Sequence, residues 1–446
     1  MTNEITEGNI LRGLLAVSLP IVVGNLLQSV LELVDLYFVG RLGADAIAGV
    51  AMSGTIIMVL MTVVIGIVTA TTAFISRSYG AREYDRVGLF LVSAMYIGLF
   101  FSVLLSLAGL FFAGDILALM GAPEAVKALG SQYLSTLLLG VFTMVELWIV
   151  SSSFQSVGDA RTPMYLMVLA NLINIALDPL FIFGLWIFPE MGVSGAALAT
   201  VLSRGVGLAL ALHILCNGTS RFSFPSPPLP DLSIAWRIVR VAIPNSVQSA
   251  VRSLSFLAMM AIVAFYGASA ISAYGIAGRM ELVALMPGFG IATGTAVVVG
   301  QNLGARAPER AEKGVKLSLL LYGGLMAALS ILYFAFAEQI MEVFDPSGSS
   351  TSIGVDYFQT VSPAYVLLAV AIVLSFAMNG AGETKLPMYA TVVSMVLVQI
   401  PLALILPRWL GLGIQGVWYA SVLGITCQFV IFYLLYRRGT WKHTRI

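Results

Sequence analysis

The feature that most constrains this chain is a succession of long apolar runs with few charges inside them. A membrane-spanning helix needs about 20 mostly apolar residues, because the hydrocarbon core of a bilayer is roughly 30 Å thick. Charged residues are 10% of the chain, against about a quarter in soluble domains. The chain is therefore predicted to be an all-α integral membrane protein with twelve transmembrane helices, at 12–38, 47–76, 87–113, 129–153, 163–187, 192–216, 235–265, 269–301, 314–337, 353–379, 386–407 and 413–436.

Composition and motifs exclude several classes of function. The 23 Lys and Arg nearly cancel the 22 Asp and Glu, so there is no overall basic field to attract nucleic acid. Cys216 and Cys427 lie in apolar runs and form neither a disulfide framework nor a thiolate metal cluster. No Gly-Lys-Ser/Thr phosphate loop occurs, so direct use of ATP is not expected. We expect no cofactor and no nucleic-acid partner.

The basic residues of the loops predict the orientation. With the N-terminus inside, 17 of the Lys and Arg in the termini and loops fall on the cytoplasmic side. Only Arg41, Lys127 and Arg408 fall on the opposite side. Because cytoplasmic loops carry an excess of Lys and Arg, a multi-pass protein of the cell (inner) membrane with both termini in the cytoplasm is predicted.

An internal repeat divides the sequence into two halves. Several motifs recur 224 residues later, and the last helix of each half corresponds at a shift of 221. Six helices were duplicated, so the copies are expected to be parallel, pseudo-symmetric six-helix bundles, as in many transporters. The predicted domains are an N-lobe (1–216), a cytoplasmic linker (217–233) that is rich in proline, and a C-lobe (234–446). The matching positions are 79–82 and 303–306, 163–165 and 387–389, Pro20 and Pro244, Gly43 and Gly267, Gly54 and Gly278, Gly66 and Gly290, Gly192 and Gly413, Gly195 and Gly416, and Ala199 and Ala420.

Acidic residues inside the spans are functional candidates, because charges in a bilayer are costly. Asp35 lies near the outer end of the first span, and Asp178 follows Asn174 by four residues in the fifth span. Thr200, in the sixth span, is expected at a similar depth to Asp178. Two carboxylates, an amide and a hydroxyl suit Na⁺ and equally suit a proton carrier. Alternatively, Asp178 and Pro179 simply end a helix, and Asp35 lies among the outer headgroups.

Other polar residues are weaker candidates. Gln28 and Glu32 share a helical face with Asp35 and are predicted to line a substrate cavity, although Glu32 could also be an interfacial acid. Pro20 provides a place for the first helix to bend. Arg279 and Glu281 are two residues apart and do not face each other, so a structural or gating role with other partners is expected, Arg252 being a candidate partner for Glu281. Further predicted cavity residues are Tyr133, Glu146 and Asn171.

An ordered set of motifs lies at 36–43, 80–82, 174–179, 279–282, 287–290 and 304–306. Together these motifs resemble the MATE (multidrug and toxic compound extrusion) family. The resemblance implies export of organic cations or other amphipathic compounds in exchange for Na⁺ or H⁺. It also implies that the coupling site falls on Asp35, Asn174, Asp178 and Thr200, the first three as ligands if the ion is Na⁺. Some sodium-coupled relatives carry acids in helices 7 and 10, which this sequence lacks except for Asp356 at the edge.

The sequence therefore predicts a secondary-active multidrug efflux antiporter with alternating access of two lobes. We expect a monomer in the lipid bilayer that binds small amphipathic or cationic compounds. The alternative is a flippase for a lipid-linked saccharide, which resembles the same wider superfamily. An enzyme is not expected, since neither His-Glu-x-x-His nor Gly-x-Ser-x-Gly occurs.

Overall fold

The computed structural model describes residues 5–218, 222, 224 and 229–444, and within these ranges the chain forms helices and no strands. The predicted linker, 217–233, lies partly outside the described residues. The helices are α1 (Ile10–Gly40), α2 (Ala44–Gly80), α3 (Tyr84–Leu119), α4 (Glu124–Leu139), α5 (Val141–Ser156), α6 (Arg161–Ile182), α7 (Val193–Cys216), α8 (Leu232–Ala264), α9 (Ala268–Gly304), α10 (Pro308–Ala335), α11 (Ala337–Phe344), α12 (Thr351–Val361), α13 (Tyr365–Gly380), α14 (Lys385–Thr391), α15 (Ile400–Trp409) and α16 (Ile414–Arg437).

The helices agree with the predicted fold class. Among the described residues, 11 helical segments are long and apolar enough to cross a membrane, and a bent pair, α4 and α5, brings the number to 12 if it forms one span. Two of these segments contain breaks. A 3₁₀ turn at Ser362–Ala364 joins α12 to α13, and a π-helix at Val392–Gln399 joins α14 to α15. The prediction of an all-α multi-pass membrane protein is confirmed.

Gly140 lies at the bend between α4 and α5, which meet at 49°. A Cβ atom at this position would lie 2.2 Å from Cγ1 of Val201, so only glycine lets α7 approach so closely. The hydroxyl of Thr143, in the first turn of α5, donates to the carbonyl of Gly140 at 3.0 Å and to that of Val201 at 3.2 Å. The glycine thus permits close packing of α7 where α4 meets α5.

Residue contacts divide the chain into two compact units. Among the described residues, the first unit takes those within 23–242, and the second takes those within 1–22 and 243–446. The divisions fall inside α1 and α8, close to Pro20 and Pro244, which occupy equivalent positions in the repeat. A proline within a helix cannot donate to the carbonyl four residues earlier, which weakens the helix at that turn. Each of these helices therefore begins in one unit and ends in the other.

Candidate cation-coupling site

Close backbone packing of α6 and α7 builds the frame of the site. A Cβ atom at Gly195 would lie 2.6 Å from the backbone carbonyl of Phe181, so α7 contacts the end of α6 directly. The connecting loop folds back, with the amide of Met191 donating to the carbonyl of Phe181 at 3.0 Å. This packing brings Thr200, on the second turn of α7, next to Asn174 on α6.

The four predicted coupling residues lie together in the first unit. With its amide oriented by its neighbours, Asn174 donates from Nδ2 to Asp35 Oδ1 at 3.0 Å and accepts the backbone N–H of Thr200 at 3.3 Å. In the opposite amide orientation, Nδ2 donates to Asp178 Oδ1 at 3.4 Å. Asn174 therefore connects α1, α6 and α7.

Both carboxyl groups lie at the Asn174 amide, Asp35 Oδ1 at 3.0 Å and Asp178 Oδ1 at 3.4 Å. A direct hydrogen bond between the two carboxyl groups requires a proton on one of them, because an ionised carboxylate only accepts. Asp178 is fully buried, and its Oδ2 has no hydrogen-bond partner among the described residues. A proton or a small cation at this place would satisfy an oxygen that is otherwise left without a partner.

Oxygen atoms suited to a hard cation surround this position. They come from Asp35, Asp178 and the Asn174 amide. Thr200 contacts this amide through its backbone N–H, and its hydroxyl donates to the carbonyl of Ala196 at 3.1 Å. Pro179, inside α6, cannot donate to the carbonyl of Ile175 and leaves a further acceptor in the same helix. Monovalent and divalent hard cations prefer such oxygen ligands. No group of three or more His, Cys, Asp or Glu that could hold a metal is found in the described ranges.

Arg204 is the residue of this region that sequence reasoning missed. It is 8% exposed, on α7 one turn beyond Thr200, and its Nη2 donates to Gln28 Oε1 at 2.6 Å. Gln28 in turn donates to Glu32 Oε1 at 3.4 Å, and the charges of Asp35 and Glu32 act on the guanidinium. Within the described chain no carboxylate forms an ion pair with Arg204 within 4.0 Å. The sequence does contain a signal for Arg204: an arginine inside a membrane span is energetically costly and therefore marks a candidate functional residue.

The other predicted cavity residues have different surroundings. Tyr133, on α4, packs against the cluster that contains Ala196. Asn171 is 6% exposed, and its amide has no partner among the described side chains. Glu146 is 5% exposed, and its Oε1 would lie 2.8 Å from a Cβ atom at Gly98, so it is buried between α5 and α3. Neither oxygen of Glu146 has a partner in the described part of the protein.

The predicted structural or gating residues belong to the second unit. Glu281, on α9, accepts a hydrogen bond from the hydroxyl of Tyr357 at 3.0 Å. Arg252 donates to Ser375 instead, at 3.4 Å, so the suggested ion pair between Arg252 and Glu281 is absent from the described residues. Arg279 is exposed, and Pro20 lies within α1.

Comparison with known proteins identifies the family. The MatE family model matches residues 20–180 and 244–405, which is most of the chain and one segment in each repeat. The chain belongs to the MatE family. The family resemblance that the motifs indicated is therefore confirmed, and this MatE protein is a membrane transporter and not an enzyme.

Several relatives cover the MatE protein almost entirely. It is 27% identical to "Probable multidrug resistance protein YoeA" of Bacillus subtilis, over 100% of this chain and 97% of the relative. It is 26% identical to "Probable multidrug resistance protein NorM" of Thermotoga maritima, over 96% and 92%. It is also 27% identical to "FAD transporter" of Shewanella oneidensis, over 94% of each chain.

Solved structures share the fold. An outward-facing multidrug resistance MATE family transporter superposes with a TM-score of 0.90, at 24% identity, over 98% of both chains. A MOP superfamily transporter from Pyrococcus furiosus, described as having a binding pocket of reverse polarity, superposes with a TM-score of 0.91 at 24% identity, over 100% of this chain and 99% of the other. At this identity the likeness extends to the fold alone.

Proposed function

We propose that this MatE protein is a secondary-active efflux antiporter. It exports amphipathic or cationic organic compounds in exchange for Na⁺ or H⁺. The observation that carries the proposal is the convergence of Asp35, Asn174, Asp178 and Thr200 from three helices. Two carboxyl groups with a shared amide can bind one small cation and release it again, which a coupling site must do.

The coupling step follows from charge. When no cation is bound, the carboxylates of Asp35 and Asp178 repel each other, and the Asn174 amide and Arg204 offset this repulsion only in part. When Na⁺ or H⁺ binds, the net charge between α1 and α6 changes by one unit, and the contacts of Asp35 with its neighbours must rearrange. We propose that α1 then repacks around Pro20, which lowers the affinity for the exported compound and releases it outward. The two lobes then return by alternating access.

The substrate class is inferred from the relatives. Two of them carry names that refer to multidrug resistance. A multidrug site binds many compounds weakly through apolar and aromatic side chains with a few polar groups. In the first unit, Gln28, Glu32 and Tyr133 are the polar residues that we propose to face such compounds, together with Glu146 and Asn171. Glu32 is exposed, so a bound compound can reach its carboxylate.

The proposal also covers the membrane location, the domain boundaries and the oligomeric state of the protein. The excess of Lys and Arg on one side supports a cell-membrane protein with cytoplasmic termini. The N-lobe, linker and C-lobe boundaries predicted from the repeat are kept as the proposed functional division. We propose that the protein works as a monomer, since all coupling residues come from one unit of one chain.

The test uses purified protein in liposomes, with a sodium gradient and a pH gradient imposed separately. In wild type, one of the gradients is expected to drive counterflow of ethidium. The double variant Asp35→Asn plus Asp178→Asn is expected to reduce this flux to the level of protein-free liposomes. Asp115→Asn, an exposed acid on α3 in the same unit, is the matched control and should transport normally.

Full gradient-driven flux by the double variant would contradict the proposal. The same vesicles also test the alternative of a lipid-linked saccharide flippase. Translocation of a lipid-linked saccharide by the wild type, without any drug-dependent ion flux, would favour that alternative.

A further inference from the structure

A buried polar cluster lies in the second unit, outside the proposed coupling site. Gln248, on α8, donates from Nε2 to the hydroxyls of Ser375 and Thr391, each at 3.0 Å, and to the carbonyl of Pro387 at 3.3 Å. Asn379 donates from Nδ2 to Gln248 Oε1 at 3.4 Å. Gln248, Ser375, Thr391 and Asn379 are each at most 3% exposed. The cluster therefore fixes one turn of α8 against α13 and α14.

Arg252 lies one turn further along α8 than Gln248. Its Nη2 donates to Ser375 at 3.4 Å, a long contact for a charged donor. A guanidinium group has five N–H donors, and no ion pair of Arg252 within 4.0 Å is found in the described part of the chain. A positive charge in a membrane span is costly unless an opposite charge matches it. Among the described residues, the protein itself supplies no such charge.

An aromatic stack begins one turn beyond the guanidinium. Phe256 is 42% exposed, and its ring stacks on Tyr274 with centroids 5.7 Å apart. Tyr274 in turn stacks on Trp418 at 5.9 Å and an interplanar angle of 11°. Because Gln248, Arg252 and Phe256 are spaced by four, they lie along one face of α8. A fixed amide, a guanidinium and an accessible ring thus follow one another on that face.

The repeat gives this face a counterpart in the first unit. At the shift of 224 residues, Arg252 corresponds to Gln28 and Phe256 corresponds to Glu32. Gln28 and Glu32 form the polar stripe of α1 that is joined to Arg204. The second copy therefore presents a cation and a ring where the first copy presents an amide and an acid.

The backbone next to the cluster is irregular. Thr391, which accepts the bond from Gln248, is followed directly by the π-helix Val392–Gln399. A π-helix is rare and occurs frequently at functional sites. This observation is independent of the charge of Arg252, and it points to the same region.

We propose that Arg252 binds the carboxylate or phosphate group of an organic anion whose ring stacks on Phe256. The guanidinium can form two parallel hydrogen bonds to such a group. Ser375 helps to hold the guanidinium in place, since its oxygen accepts from both Gln248 and Arg252. The proposal deepens the proposed function, on which it rests: the exported compounds include aromatic anions or zwitterions, with the acid group held in the second unit.

The test measures binding and transport with two probes. Carboxyfluorescein is the aromatic anion and ethidium the aromatic cation. The variants are Arg252→Gln, which introduces the residue found at the equivalent position 28, and Arg252→Lys. The lysine keeps the positive charge but lacks the planar guanidinium group that forms two parallel hydrogen bonds. Arg408→Gln, an exposed arginine at the end of α15, is the matched control. Unfolding midpoints of all variants show whether each one folds.

The expected result is selective. Saturable binding of carboxyfluorescein, followed by fluorescence anisotropy, should weaken roughly tenfold or more in Arg252→Gln and less in Arg252→Lys, because a charged hydrogen bond is lost. Ethidium, which carries no acid group, should be affected by a smaller factor than carboxyfluorescein in both variants, and Arg408→Gln should behave as wild type with both probes. Equal affinities of wild type and Arg252→Gln for carboxyfluorescein, or no saturable binding at all, would overturn the proposal.

Two further measurements complete the test. One distinguishes binding of an organic anion from binding of a lipid headgroup, and the other separates a failure of binding from a failure of transport. Titration in phosphatidylcholine and in phosphatidylglycerol nanodiscs should give equal affinities. Competition by phosphatidylglycerol that disappears in Arg252→Gln would assign the guanidinium to a lipid headgroup and overturn the proposal. If wild type shows no gradient-driven ethidium flux, the proposed function fails, whereas the binding titration still decides whether Arg252 recognises an anion.

Discussion

The two copies of the repeat keep the same backbone contacts and carry different charges. Pro20 and Pro244 lie inside the first helix of each copy. Gly195 packs on the backbone of Phe181 and Gly416 on that of Pro407, and a Cβ atom at either glycine would lie 2.6 Å from the nearest backbone atom. The acids do not follow this pattern, since Asp35 corresponds to Met259 and Asp178 to Leu402.

Burial explains why the second copy has no comparable cation site at these positions. Met259 is 1% exposed and belongs to an apolar cluster with Tyr274, and Leu402 packs against the same cluster. At the two positions where the first unit carries the carboxylate oxygens of Asp35 and Asp178, the second unit thus carries apolar side chains, which have no atom that could bind a cation. The comparison teaches that duplication preserved the close helix contacts, which glycine and proline determine, while the charged side chains diverged freely.

The largest effect is expected from placing an acid in the second copy. Met259→Asp introduces the residue of position 35 into a buried apolar cluster. We expect a loss of roughly 2.5–3.5 kcal/mol in the free energy of unfolding, the cost of an acid in a span. Thermal unfolding in detergent measures it, with Met259→Leu as the control. A stable Met259→Asp protein with a second sodium-binding step would contradict the asymmetry of the two copies.

A smaller loss of stability is expected from adding a methyl group at the two glycines where helices pack backbone to backbone. Gly195→Ala and Gly416→Ala each force a methyl group against backbone atoms, and overpacking of this kind costs about 1–3 kcal/mol. Both variants should therefore unfold at lower temperature. Only Gly195→Ala should also weaken the ion dependence of transport, because it displaces the turn that carries Thr200. Equal changes in the ion dependence of the two variants would show that the coupling site is not confined to the first unit.

Arg204 offers a test of the charge balance in the first unit. Removing it with Arg204→Gln takes away a positive charge that competes with the coupling cation near Asp35. At an effective dielectric constant of about 20, one charge a few ångströms away changes binding by about tenfold or more. We expect the sodium concentration for half-maximal transport to fall by this factor if Na⁺ is the coupling ion. An increase would mean that Arg204 supports cation binding.

The smallest effect is expected at Glu281. Tyr357→Phe removes the hydrogen bond of 3.0 Å and should cost about 1 kcal/mol of stability. Tyr322→Phe is the matched control, because its hydroxyl has no partner among the described residues. Neither variant should change the ion dependence of transport. A changed ion dependence in Tyr357→Phe alone would assign Glu281 a part in coupling.

The helices could be predicted from the sequence because their signal is local. Apolar runs of membrane length indicated the spans, and a constant shift of 224 residues indicated the repeat. The grouping of Asp35, Asn174, Asp178 and Thr200 was expected from the family resemblance and from helix depth. The close approach of Val201 to Gly140, at the bend between α4 and α5, was not predicted, because it is a contact between distant segments.

The sequence by itself determined that the chain is a helical membrane protein of two related halves, since hydropathy and spacing are properties of each segment alone. Only the tertiary structure decided the partners of the charges. It joined Arg204 to Gln28, and it left Arg252 beside Ser375 instead of Glu281. The physical reason is that the partner of a side chain depends on the packing of helices far apart in the chain, which no local pattern encodes.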